Sequence, residues 1–531
     1  MTNCSVGFWL FRHRQFLRFA LDARRVRPDS LAAMLARRIA PRRTVVISAF
    51  CSALLATAAA RASDVEVSSS TSAQGYSLRS PFGDPVLMRR RFVQSLGLTV
   101  TGIGNDDFDP KGPWISFRMR VRLNADFGVS REETNWANSP GSFVPALALA
   151  PVDLMYGYLD VRNLAGGLLS LRLGRQYVVD PLGWWSFDGA LVRVELPVHV
   201  AIETYGGFEQ RGGLPWSTPR FERDGVWRGD RTKLDGTVYP EFQQAHYAPA
   251  AGAVIESFSL PVVHARAAYR KVWNTGSAVT LPTPATATSL PPTTNGWRTS
   301  SERVGASLDV SDDDLGALRL GSVYDLLTSR FTSHYASADV FVSDRWTLGA
   351  DADRIVPSFD GDSIWNWFAI DPSTAATARA DAQLGRNIDA GMSAGLRWVN
   401  VGASANDPAQ GAQGTSLDML SRVHARWRPE HGVIGVSGML DSGDRGRREG
   451  ADLYGQHVFE ERFLVSARTS LYDWRDDWRP DRSATSFGYV LGGGCRIGDG
   501  TQVMLEWEHD TNHLVGQRYR VLALLDMQVM R

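Results

Sequence analysis

Lysine is almost missing from this chain of 531 residues: of 57 basic side chains only Lys111, Lys233 and Lys271 are lysines. Cysteine is as scarce, with Cys4, Cys51 and Cys495 the complete set. Three thiols exclude a disulfide-stapled scaffold and a cysteine-rich metal domain. No glycine-rich phosphate loop and no Cys-x-x-Cys pair is present, so two common signatures of nucleotide and redox chemistry do not arise. Beyond Ala62 no run of 18 apolar residues occurs, which excludes a spanning helix there. Net charge is also lacking, but unevenly so. The first 63 residues carry eleven arginines against Asp22 and Asp29, which leaves the remainder at −9 and argues against a nucleic-acid partner.

What is present begins with an export signal. Arg37, Arg38, Arg42 and Arg43 precede an apolar run from Thr44 to Ala60, followed by Ala60-Arg61-Ala62. A basic segment, about 15 apolar residues and an A-x-A site are the parts of a secretory signal peptide. The expected organisation is therefore an extension or misassigned start over 1–33 and a signal peptide over 34–62. A periplasmic N-terminal segment over 63–91 and the main domain over 92–531 follow.

The main domain alternates. From Trp114 to Phe127, Ile115, Phe117, Met119, Val121, Leu123 and Ala125 interleave with Ser116, Arg118, Arg120, Arg122, Asn124 and Asp126. Successive side chains of a strand point to opposite faces, so this ribbon has one apolar and one charged face. About thirteen alternating residues exceed the usual soluble strand and suit a tilted membrane strand. The same alternation recurs around Leu171, Val200, Leu308, Leu396 and Val465. Tight links near 163–167, 196–197, 260–261, 312–315, 343–345, 385–387, 429–432, 460–461 and 498–500 take turns with longer polar stretches. Those stretches are 209–248, 275–298, 357–375, 401–414, 442–450 and 474–484. Short turns on one rim and long loops on the other are the pattern of an outer-membrane barrel. The expected fold is all-β, a single antiparallel transmembrane β-barrel of about 20 strands (range 16–22) in the bacterial outer membrane.

Leu171-Arg172-Leu173-Gly174-Arg175-Gln176, followed by Asp188-Gly189, resembles the long-chain porin and alginate-export-like barrels, which carry a similar Gly-Arg-Gln strand. The hairpin from Glu506 through Asp510 to Gly516-Gln517-Arg518-Tyr519-Arg520 resembles their closing strands. The resemblance implies an outer-membrane channel that contacts lipid, is inserted by the barrel-assembly machinery and passes small solutes. It departs at Arg531, where such barrels end in an aromatic residue.

On the charged face the candidate pore-lining residues are Arg118, Arg120, Arg122, Arg172, Arg193, Arg266, Arg303, Arg319, Arg397, Arg422 and Arg468, together with Glu203, Asp309 and Glu506. Guanidinium groups in a narrow wet tube concentrate anions and bind carboxylates in two-point fashion. The competing reading is a structural ladder, in which acids of the same face pair with them across strands. Only Arg118, Arg120 and Arg122 are then expected to keep unpaired charge. Trp184, Trp185, Trp273, Trp297, Trp365, Trp367 and Trp474 are expected in an interfacial girdle. Trp216 and Trp227, in the longest loop, are candidates to fold into the pore. The acidic runs Asp106-Asp107 with Asp109, Asp312-Asp313-Asp314, and Asp360 with Asp362 read as loops and turns, not calcium sites. No cofactor, metal or catalytic constellation is expected, and the chain reads as a channel, not an enzyme. A filled structural or secretion-associated barrel is the alternative, a barrel enzyme a weaker one. The sequence leaves substrate and homo-oligomer formation open.

Overall fold

The computed structural model describes residues 64–103, 112–126, 152–210, 248–274, 278–279, 293–294, 297–358, 369–401, 403–404, 414–477 and 480–530. The signal-peptide reading of 34–62, residues 211–247 of the 209–248 loop with Trp216 and Trp227, the runs at 106–109 and 360–362, Trp365, Trp367 and Arg531 lie outside the described residues.

Twenty-two strands form one sheet. All of their pairings are antiparallel, and consecutive barrel strands are neighbours throughout. The sheet closes where the first strand, Asp64–Arg79, pairs on one side with Pro85–Thr101 and on the other with the last, Gly516–Met530. The number lies at the upper end of the expected range. Counting from Trp114 gives the 20 strands that the alternation implied; of the other two, Asp64–Arg79 comes from the segment assigned to the periplasm and Pro85–Thr101 straddles its boundary with the main domain. The barrel thus opens at Asp64, not Phe92. The 63–91 stretch escaped notice because Ser68, Ser69, Ser70, Thr71 and Ser72 give it almost no hydropathy contrast, although a strand beside a wet lumen needs little.

Closure decides which face is which. Alternation and register carry the face of Arg118 around the whole circumference, and the opposite face presents the exposed Leu173, Met392, Leu453, Leu491 and Leu505. Such a surface suits hydrocarbon, and in hydrocarbon an open edge would leave peptide groups unpaired. Inside, four tyrosine rings lie over glycines of a neighbouring strand. A Cβ at Gly252, Gly321, Gly435 or Gly450 would collide with the ring of Tyr205, Tyr335, Tyr454 or Tyr472 respectively.

One rim carries tight turns at 165–168, 197–199, 258–262, 313–315, 344–345, 384–387, 428–431, 460–462 and 497–500. These are the nine short links read from the sequence. Five longer connections, 127–151, 210–247, 275–297, 356–372 and 402–413, leave from the opposite rim, while 102–113 is a long one on the turn rim. The opposite rim also has tight hairpins at 181–182, 326–329 and 513–515, which the alternation of lengths did not foresee. The expected 442–450 loop is instead a two-residue turn, 444–445, between strands that continue to Gly443 and from Gly446. Asp312 caps its turn, its Oδ1 accepting from the amides of Asp314 and Leu315 at 3.0 Å, so this acidic run is turn chemistry.

Ala378 sits midway along Ser373–Gln383 on the lipid-facing side, exposed. Ala378→Arg is expected to lower folding stability in lipid vesicles by about 2–4 kcal/mol. Ser393→Ala, on the inner face, should change it by less than about 0.5 kcal/mol; urea titration followed by tryptophan fluorescence measures both.

Candidate functional site

The lumen is shaped by one hairpin, Leu169–Asp180 with Gly183–Leu196. Its lower half belongs to the wall. The ladder to Val152–Leu164 runs from Leu169 only as far as Arg175, opposite Gly157, and stops there. At that level Tyr158, Gly174, Gly189 and Gly207 form a row across four strands. Gly174 has φ +124°, and a Cβ on it would strike the carbonyl of Gly157; one on Gly189 would strike the carbonyl of Gly206. Only glycine lets backbones meet so closely while the chain bends.

Above the row the hairpin turns inward across the barrel wall. Its tip lies against Gly305 of Arg298–Asp312, where a Cβ would come within 2.8 Å of Leu182 and 3.3 Å of Pro181. Two arginines of Val263–Asn274 hold it. Arg266 donates to the carbonyl of Val179 at 2.5 Å, and Arg270 to that of Leu182 at 3.2 Å. Arg270 also stands 4.0 Å from the buried Asp180 carboxylate and 5.0 Å from the centre of the Trp185 ring. One face of the hairpin, Val178, Trp185 and Phe187, is buried on Tyr205, Ala248, Ala250, Val254, Ala268 and Val272 of the inner wall. Trp185 and Phe187 stack at 4.8 Å. The wall offers small side chains here because the hairpin supplies the large ones. Each buried side chain of this size contributes about 1.5–3 kcal/mol, which sets hydrophobic contact above the few hydrogen bonds as the main hold.

The bend is locked by the residues of the Gly-Arg-Gln motif. Arg175, buried, donates to both oxygens of Asp188 at 2.6 Å and to the Leu154 carbonyl at 3.0 Å. Gln176 donates to the Gly189 carbonyl at 3.0 Å. Trp185 is therefore no girdle residue: it is 8% exposed in an intraluminal core, its indole N–H donating to Glu209 at 2.8 Å. Trp474 also departs from the girdle, since it shares the inner face with Arg468 and Tyr472. Trp184, on the opposite face of the same inward hairpin and paired with Val179, leaves the girdle as well; the signal available in the sequence was the glycine set at 174, 189, 206 and 207.

Register places all fourteen candidate pore-lining residues on one face, the inner one. Six of the arginines are paired with acids: Arg193 with Glu195 at 2.8 Å and with Glu256, Arg266 with Glu256 at 3.0 Å, and Arg303 with Asp325 at 3.6 Å. Arg397 meets Asp418 at 2.8 Å, Arg422 meets Asp441, and Arg468 meets Asp452 at 2.9 Å. Arg379, Arg426, Arg518 and Arg520 extend this ladder and were not singled out from sequence; Arg379, for example, joins Asp339 to Asp351. Asp309 and Arg319 face each other in register, and Glu506 stands opposite Gly492 and Leu522. Glu203 is 4.0 Å from Arg193.

Arg118, Arg120, Arg172 and Arg319 have no ion pair among the described residues. Arg118, Arg120 and Arg122 stand beside Thr99, Gly97 and Ser95, and beyond these lie Glu66, Ser68 and Ser70. On the other side Arg122 stands opposite Asp153, whereas Arg118 and Arg120 stand opposite Tyr158 and Tyr156. Below the bend a cavity of about 240 Å³ is lined by Asp160, Arg162, Arg172, Arg193, Glu195 and Glu203, three charges of each sign. Gly391-Met392-Ser393-Ala394-Gly395 spells the nucleophile-elbow pattern, but it lies inside the extended strand Ile388–Val401 and not on a strand-to-helix turn. Among the described residues no cluster of His, Cys, Asp or Glu forms a metal site.

No family model and no curated protein matches the chain. Solved structures similar to it include Pseudomonas aeruginosa OpdK with vanillate, with TM-score 0.39 and 9% identity over 88% of this chain and 98% of that one. Acinetobacter baumannii OccAB2 gives 0.40 and 9% over 88% and 98%, and Pseudomonas aeruginosa OpdQ 0.40 and 7% over 88% and 99%.

With Cys495 replaced by serine, Phe187→Cys should resist a water-soluble maleimide in the folded barrel, and Val179→Cys should react. Adding Arg270→Ala to Phe187→Cys is expected to speed its labelling several-fold, as the hairpin loses its hold on the wall.

Proposed function

We propose that the protein is an outer-membrane channel for passive diffusion of small polar and anionic solutes. The observation that carries this reading is the unbalanced stripe of Arg118 and Arg120 on the inner face of a closed, lipid-suited sheet. In a confined aqueous path such charge raises the local concentration of anions, and the paired arginines add fixed hydrogen-bonding groups without net field. The hairpin narrows the path, so selection is steric as well as electrostatic. In this reading the chain is exported by its signal peptide, inserted by the barrel-assembly machinery and needs no cofactor. Substrate passage requires no covalent step, and the residues named act by binding and exclusion alone.

The inward hairpin also supports a second reading, a barrel whose lumen is filled and which serves a structural or secretion-associated role. Conductance separates the two. Purified protein in planar bilayers under a potassium chloride gradient is expected to give discrete openings with an anion-favouring reversal potential. Arg118→Glu with Arg120→Glu should move that potential toward cation preference. Cation preference in the unmodified protein would overturn the anion-channel reading, and a silent bilayer would favour the filled barrel.

A further inference from the structure

The lipid-facing side of the barrel carries arginines at one rim. In Trp114–Asp126 the outward column runs from Ile115 to Ala125. At about 3.3 Å per residue and a tilt of about 40° it rises about 25 Å, the height of a membrane barrel's apolar band. Phe92 stands opposite Ala125, and the next outward residue beyond Phe92 is Arg90. Opposite Arg90 on the first strand is Gly75, where an added Cβ would meet nothing within 4 Å. Arg79 ends the outward column of that strand, opposite Gln517. One outward step below it Tyr519 stacks on His509 at 4.5 Å, with Tyr489 5.5 Å from the same imidazole. Further round the barrel Trp346, Leu348, Ala350 and Ala352 form another apolar column, and Arg354 tops it between His334 and Thr374.

Arg79, Arg90 and Arg354 are exposed and have no ion pair among the described residues. Arg447 and Arg475 face outward at the same rim but are paired, with Glu449 and Asp477 respectively. At the turn rim the corresponding columns end in Val65, Ile115 and Trp346, and no described strand turns an arginine outward there. A guanidinium group costs little at either membrane interface, so snorkelling alone would place such residues at both rims. Their restriction to the rim opposite the tight turns, the external one in barrels of this kind, calls for an anion on that side. A zwitterionic headgroup brings its own cation and leaves three free guanidinium groups unmatched.

We infer that Arg79, Arg90 and Arg354 bind the phosphates of a phosphorylated glycolipid in the external leaflet. Guanidinium groups take phosphate oxygens through two-point, charge-assisted hydrogen bonds. The open space at Gly75 lies between Arg79 and Arg90, and the Tyr519 and His509 rings lie below, where sugar gives way to acyl chain. The inference rests on the outer-membrane barrel and is independent of what passes through its lumen.

Full-length protein in dodecylmaltoside micelles is titrated with diphosphoryl lipid A and with the same acylated disaccharide stripped of phosphate, bound lipid being read by native mass spectrometry. The phosphorylated form is expected to bind about tenfold tighter or more. Combining Arg79→Gln, Arg90→Gln and Arg354→Gln should remove most of this preference; circular dichroism checks that the variant is folded. Arg90→Gln alone should lose about fivefold, and it carries the test if the triple variant does not fold. Arg345→Gln, on the turn rim, should leave the preference in place. Equal affinity for the two lipids in the unmodified protein, or an unchanged preference in the folded arginine variants, overturns the proposal. So does an equal loss in Arg345→Gln, or full displacement of the lipid by inorganic phosphate, which would assign the arginines to a free anion.

Discussion

Peptide groups that face hydrocarbon have no solvent to bond with, and the rest of this structure follows from that constraint. Twenty-two strands satisfy it by pairing around a circle, and the circle creates an inside that need not be oily. Charge is then placed inward with little penalty, since water and opposite charges are both available there. The arginine–carboxylate ladder does not hold the barrel together in the way the backbone ladder does. Exposed pairs of this kind contribute little each, and their effect is to fix rotamers and cancel field over most of the circumference. Where the cancelling acids are missing, beside Arg118 and Arg120, the field survives.

The intraluminal hairpin is a second solution to the same problem of large inner radius. A 22-stranded wall encloses more space than its own side chains fill. Bending one hairpin inward at glycines 174 and 189 spends wall to make a constriction and gives Trp185 and Phe187 an apolar bed inside an otherwise polar tube. The two faces of the hairpin have different work. One is packed on the wall, and the other, with Tyr177, Val179 and Trp184, is exposed. Arg266 shows how position outweighs residue type: it was read as a lining residue, and like Arg270, which was not, it binds a backbone carbonyl of the hairpin tip.

The fold was legible because alternation is a local property that lipid on one side and water on the other impose strand by strand. Ile115 through Leu123 state it plainly. Asp64–Arg79 does not, since its serines and threonines are tolerated by the sheet without advertising it. The candidate arginines were legible as members of a face, but their partners were not, because pairing depends on the register between strands. Asp339, Asp389, Asp441 and Asp452 acquire their roles only when the ladder is drawn. The hairpin was the least legible feature. Its motif was visible at Gly174-Arg175-Gln176 and Asp188-Gly189, yet the bend arises from four strands meeting at one level, which no single segment records.

The seam of the cylinder joins Asp64–Arg79 to Gly516–Met530, so Glu66 finds its neighbour at Met530 after nearly the entire polypeptide has been made. A nascent chain that has delivered twenty-one strands still carries two raw edges, each a template for a stranger's backbone. Until the final strand arrives those edges stay unpaired, so truncation near the carboxyl end would abolish the tube outright where a nick in a surface connection would spare it.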